Sequence, residues 1–175
     1  MKIKFSLLLL LVSVFSCDDL DELTEIDIIQ DFTTTISVDV PEDSEGQPQS
    51  FSTSTTLDIS DNEEIQDNID LIENMSINSI TYEITNFSGS EGAILTEGQL
   101  IFGTTTIAVS NINLEQSDID NTLYTITDTS GFNEIANNLE NNLLINVSLA
   151  GTVNETPVVF DIEVNIDLTV TVDVL

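Results

Sequence analysis

Carboxylates dominate the reactive side chains of this 175-residue chain: 32 Asp and Glu, against one cysteine, two lysines and no histidine or arginine. That inventory excludes more chemistry than it allows. Without histidine there is no imidazole base for work near neutral pH, and no Ser-His-Asp, Cys-His or His-zinc site. Lys2 and Lys4 sit at the extreme N-terminus, so the body of the chain has no cation to hold a phosphate or steady an oxyanion. Paired carboxylates remain as a catalytic device, at separations of about 5–9 Å. In so acidic a chain such pairs arise by chance, and the expectation is a protein that is not an enzyme.

Calcium is the ligand that oxygen-rich chemistry would take. Asp118 and Asp120, in Ser117-Asp118-Ile119-Asp120-Asn121-Thr122, are two apart in a predicted loop and form one weak candidate. Asp58, Asp61, Glu63 and Glu64 form another, beside a predicted helix start. Neither follows the EF-hand spacing or has its glycine. A solvated turn and a helix cap account for them more simply, so no metal is expected, with calcium left open at Asp118 and Asp120. Nucleic acid is excluded as a partner, because binding it rests on Lys and Arg. Only Tyr82 and Tyr124 are tyrosines and there is no tryptophan, so no aromatic platform for sugars is expected.

The single thiol has a context. Lys2 and Lys4 give a positive start, and Phe5 to Phe15 is apolar except for Ser6 and Ser13. This stretch is shorter than the roughly 20 residues a membrane span needs and matches a removed signal instead. Val14-Phe15-Ser16-Cys17 resembles the lipobox of bacterial lipoproteins, although Phe15 is bulkier than the residue usual there. Asp18-Asp19-Leu20-Asp21-Glu22 resembles the acidic export tag of Bacteroidota cell-surface lipoproteins. The resemblance implies lipid attachment at Cys17, with Asp18, Asp19, Asp21 and Glu22 as the export signal. It also implies an outer-membrane position facing the cell exterior. Ordinary secretion after Ser16, or a periplasm-facing position, are the alternatives.

The expected organisation is a signal at 1–16, an acidic tether at 17–25 and one domain at 26–175. Loss of Lys2 and Lys4 takes the net charge from −30 to −32. Such a surface repels anionic headgroups, so contact with the membrane is expected through the N-terminal lipid alone. A protein or glycan partner on the cell surface remains possible.

Within the domain, period-two alternation predicts strands. Residues 26–40 put Ile26, Ile28, Phe32, Ile36, Val38 and Val40 on one side. From Val158 to Val174 every even position is apolar, and from Asp161 every odd position is polar. Seventeen such residues span about 55 Å, which predicts a bend or bulge serving two sheets. Further strands are predicted near 51–59, 77–86, 93–102, 104–112, 122–127 and 143–153, with the 93–112 pair turning at Gly103. Thr35 to Val40 echoes Thr169 to Val174, which fits two edge-like strands built by one alternation rule, or neighbours in one sheet.

Two helices are predicted. One covers 61–73, capped by Ser60 and Glu63 in a capping box with Ile65, Ile69 and Ile72 at helical spacing. The other covers about 130–141, with Phe132, Ile135, Ala136 and Leu139 on one face. The fold expected is mainly β: an antiparallel β-sandwich of about eight strands with two short amphipathic helices inserted. The expected function is a lipid-anchored, highly acidic binding, adhesion or envelope-structural module. The alternatives are a strand-exchanging, pilus-like fibre subunit and a divalent-cation-binding adhesin.

Overall fold

The structure, a computed structural model, describes residues 25–43, 47–109 and 111–174. Cys17, Asp18, Asp19, Asp21 and Glu22, the expected signal and all but the last residue of the tether lie outside the described residues.

Among the described residues nine strands form two antiparallel sheets packed as a sandwich. Strands β1 (Glu25–Val40), β9 (Val158–Asp173), β3 (Ile72–Gly89) and β7 (Tyr124–Thr125) lie in that order in sheet A. Sheet B runs β2 (Gln49–Asp58), β8 (Leu144–Val153), β4 (Ile94–Phe102), β5 (Thr105–Val109), and β6 (Ile112–Asn113) also pairs with β4. Alternation does what the sequence implies. Even residues of β9 are buried, and odd ones from Asp161 on are half-buried on the outer face.

The long last strand sits at the centre of sheet A, between β1 and β3. It does not bend to serve two sheets. Its pairing with β1 is unbroken over 16 positions, from Glu25 opposite Asp173 to Val40 opposite Val158. The irregularity falls on its other neighbour: β3 takes three register shifts, at Ile72/Asn74, Ile77/Ser79 and Thr85/Ser88. Each shift places an extra residue on β3, a bulge beside a partner that stays in register with β1. The echoing segments are therefore not two edge strands. They belong to neighbours in one sheet.

The core lies between the sheets. Ile36, Ile162 and Ile84 form one inward row of sheet A, and Leu57 and Ile145, paired on sheet B, are buried in the same core. Phe51 of β2 meets Phe160 of β9 edge to face, with ring centroids 6.1 Å apart at 87°. The β4–β5 hairpin turns at Gly103, whose φ of +60° suits glycine at the first position of a two-residue turn.

Three helices and one 3-10 turn complete the described residues. Helix α3 (Phe132–Asn142) matches the predicted second helix and buries Phe132, Ile135, Ala136 and Leu139. The first helix is much shorter than predicted. Helix α1 spans Glu63–Asp67, a 3-10 turn follows at Ile69–Leu71, and Ile72 already opens β3. Pairing with Val172 of β9 claims Ile72 for the sheet. Its cap also differs. Asn62 Oδ1 accepts from the amides of Glu64 (3.0 Å) and Ile65 (3.1 Å), so Asn62, not Ser60, is the N-cap. The Ser60 amide instead donates to Asp58 Oδ1 at 2.9 Å. Helix α2 (Leu114–Ile119) is unpredicted and occupies part of the expected 117–122 loop.

Candidate binding faces

The two outer faces of the sandwich differ in charge. On sheet A the outward positions of β1, β9 and β3 carry Asp27, Asp31, Asp161, Glu163, Asp167 and Glu83. The register sets like charges opposite one another: Asp31 against Asp167, Glu83 against Glu163, and Glu25 against Asp173. Such pairs are unfavourable unless a donor or a cation relieves them. Amides and hydroxyls take that role for some. Asn78 Nδ2 donates to Asp167 Oδ1 at 2.9 Å, Asn86 Nδ2 to Asp161 Oδ2 at 2.8 Å, and Thr171 Oγ1 to Asp27 Oδ1 at 2.8 Å. Among the described residues no side-chain donor reaches Glu83 or Glu163.

Sheet B presents the opposite. Its outward positions read Ser50, Ser52, Ser54 and Thr56 on β2 and Asn146, Ser148, Ala150 and Thr152 on β8, followed by Gln99 and Ile101 on β4 and Thr106 and Ala108 on β5. Its carboxylates are few: Asp58 ends β2, and Glu97 lies on the inner strand β4 and lines the depression of this face. Small side chains across four strands leave a shallow depression of about 520 Å³, floored by Ala108, Ala150 and Gly151 and rimmed by Ser50, Thr96 and Gln99. The Ser50 and Thr152 hydroxyls meet across it at 3.1 Å.

Local geometry explains the depression. A register shift at Leu95/Glu97 displaces β4, bringing its backbone against β8. Gly151 is required there, since a Cβ would come within 2.6 Å of the Glu97 carbonyl oxygen and 2.7 Å of Leu95 Cδ1. No motif in the sequence marks this face. Its one legible trace is the alternation of small hydroxyl residues in Ser50-Phe51-Ser52-Thr53-Ser54, which reads equally as an ordinary weak strand.

The predicted metal candidates do not converge. Asp118, in α2, accepts the Phe87 amide through Oδ2 at 3.2 Å and so ties α2 to the last irregular stretch of β3. Asp120 is the C-cap of α2, where its Oδ2 accepts from Gln116 Nε2 at 2.7 Å. Asp58 holds the Ser60 turn, and Glu63 and Glu64 open α1. Among the described residues no three Asp, Glu, Cys or His side chains are grouped to hold a metal ion.

Ionisation follows these local bonds. The Ser60 hydroxyl and then its amide hold the Asp58 carboxyl below its ordinary value. Ser130 does the same for Asp128. Tyr82 is buried and stacks on Tyr124 at 5.0 Å and 11°, and burial, then the neighbouring Tyr124, pushes its phenol up to about 12. Tyr124 hydrogen-bonds the Ser117 hydroxyl at 2.6 Å. Both rings thus pack helix α2 against sheet A.

No family model matches the chain, and no curated protein matches it. Solved structures similar to it include the decameric BFDV capsid protein, with a TM-score of 0.43 at 7% identity over 83% of this chain and 99% of that one. The 60-mer BFDV capsid protein gives a TM-score of 0.37 at 7% identity, over 86% and 96% of the two chains. Desmodium yellow mottle tymovirus gives a TM-score of 0.29 at 8% identity, over 86% and 84%. At these values they lend this chain no function.

Proposed function

We propose that this chain is a lipid-anchored, highly acidic lipoprotein of the outer membrane, facing the cell exterior. It acts there as a non-catalytic binding, adhesion or envelope-structural module, and its contact surface is the outer face of sheet B. The observation that carries the reading is the segregation of charge between the two faces. The carboxylates of sheet A repel any anionic surface and keep like molecules apart. The outer face of sheet B, mostly hydroxyls and amides around the single carboxylate of Glu97, can approach a protein or glycan surface with far less carboxylate desolvation than sheet A. The signal-like segment ending at Cys17 supports the anchor, and Asp18, Asp19, Asp21 and Glu22 support the outward position.

Two outcomes test it. Proteinase K applied to intact cells should remove the protein; trypsin should not serve, because the chain has no Lys or Arg beyond Lys4. Full protection until the outer membrane is broken would refute the outward position. Pull-down from intact cells should recover a partner with the native chain and with Glu163→Gln on sheet A, and lose it with Ala150→Glu on sheet B. A partner retained by Ala150→Glu in a folded protein would refute the choice of face.

A further inference from the structure

Each sheet of an open sandwich has two edges, and exposed edges invite pairing with another chain. Three of the four here are guarded. β1 carries Asp27, Asp31 and Asp39 along its length. β7 is two residues long, and helices α2 and α3 pack against the strand β3 that it borders. β2 is tied to β1, with Thr53 Oγ1 donating to the Ser37 carbonyl at 3.2 Å and Thr34 Oγ1 to the Thr56 carbonyl at 3.5 Å.

β5 has none of these guards. Its five residues are Thr-Thr-Ile-Ala-Val, all but the alanine strong strand formers. They lie within residues 98–114, which contain no charged side chain in a chain with 32 acidic ones. The two-residue turn makes Phe102 and Thr105 a hydrogen-bonded pair, so Thr105, Ile107 and Val109 bond to β4. The N–H and C=O groups of Thr106 and Ala108 therefore point away from the sheet. Residues 125–128 border this edge across a crevice of about 330 Å³. Among the described residues no backbone hydrogen bond joins the two walls.

We infer that β5 is an interface for a second copy of this chain, pairing antiparallel with the same strand about a two-fold axis at Ile107. Thr106 then faces the partner's Ala108, and Ala108 faces the partner's Thr106. Each of these two pairs exchanges both of its hydrogen bonds, four in all. The strip is self-complementary because its two outward residues flank the axis symmetrically. Charge favours a copy at this edge over any other, since each chain carries −30 and most approaches set carboxylates against carboxylates. Asp128 is the one charged side chain lining the crevice. A five-residue strand covers about 17 Å and buries far less than the ~1,200 Å² of a stable interface. The dimer is therefore weak, and strengthens with concentration and with salt that screens the repulsion.

Sedimentation velocity on the full chain in detergent, over a wide concentration range at low and high salt, tests this. The native chain should show a monomer–dimer equilibrium shifted toward dimer by salt. Ala108→Pro removes an N–H that the internal ladder does not use, a position where a strand tolerates proline. It should weaken association at least tenfold, since the axis removes two bonds at once, and leave the circular dichroism unchanged. Should Ala108→Pro disturb folding, Thr106→Glu, an outward charge that sets a further carboxylate against those of the partner, should have the same effect. Association that survives both variants, or a native chain monomeric at the highest concentration and salt, would overturn the inference.

Discussion

Replacing Glu163 with glutamine should stabilise this protein, and only while salt is low. Glu163 lies on the outer face of the central strand, directly opposite Glu83, and no side-chain donor reaches either carboxylate among the described residues. Opposed side chains in such a pair have Cβ atoms about 5 Å apart. Two unit charges at that separation repel by about 0.8 kcal/mol in a water-like dielectric, and by more where the protein displaces solvent. Glu163→Gln removes the repulsion and supplies an amide donor to Glu83, a gain of about 1 kcal/mol. For a chain of this size that is an increase in Tm of about 2–4 °C. The Debye length falls from about 30 Å at 0.01 M salt to about 3 Å at 1 M, so most of the gain should vanish at the higher salt. Glu83→Gln should behave alike, and the double variant should gain less than the sum of the two, because either change relieves the same contact. Asp167→Asn is the contrast. It also faces a carboxylate, Asp31, but it accepts from Asn78, so the lost charge-assisted bond offsets the relief. Thermal melts of the four variants at the two salt concentrations decide the matter. Equal shifts at both salts, or additive singles, would refute the electrostatic reasoning.

Other outcomes follow from local geometry. Asn62→Ala should cost about 1 kcal/mol through the lost cap of α1, and Ser60→Ala clearly less, by denaturant melts; the reverse order would restore Ser60 as the cap. Asp58 and Asp128 have carboxyls held below the ordinary value of about 3.8. Their contribution to stability is thus present above that value and is lost as pH falls through the lower folded value. Carbon-13 NMR titration should show both ionising below the ordinary aspartate value, and Ser60→Ala and Ser130→Ala should bring them back toward it. Tyr82 has the opposite sign. Its phenol, raised from 10 to about 12, favours the folded state below pH 10, and that advantage is lost as pH rises toward 12. Ultraviolet titration should find one tyrosine resisting ionisation to near that pH, and an early, complete ionisation of both would contradict the buried stack.

Period-two alternation was enough to locate the sandwich, because burial of one face leaves its mark on every second residue. β1, β8 and β9 stand within a residue or two of where the pattern puts them. Helix α3 was legible for the corresponding reason, with four apolar residues at helical spacing. Helix α1 was not, because Ile69 and Ile72 fit that spacing while pairing between β3 and β9 claimed Ile72 for the sheet. The central place of β9 was hidden as well: its odd residues look like a solvated edge, yet on this sheet the outer face is polar even at the centre. The contrast between the two outer faces could not be read before the register was known. Glu83 and Glu163 are 80 residues apart, and the depression on sheet B draws on four strands.

Cys17 is the proposed point of membrane attachment. Intact-mass spectrometry of the protein extracted from membranes of the cells that make it tests this most directly. A chain beginning at Cys17, heavier than its sequence by acyl chains on that residue, is the predicted result, with Cys17→Ser leaving neither the cleavage nor the added mass. An unmodified thiol at Cys17, or a mature chain that begins elsewhere, would contradict it.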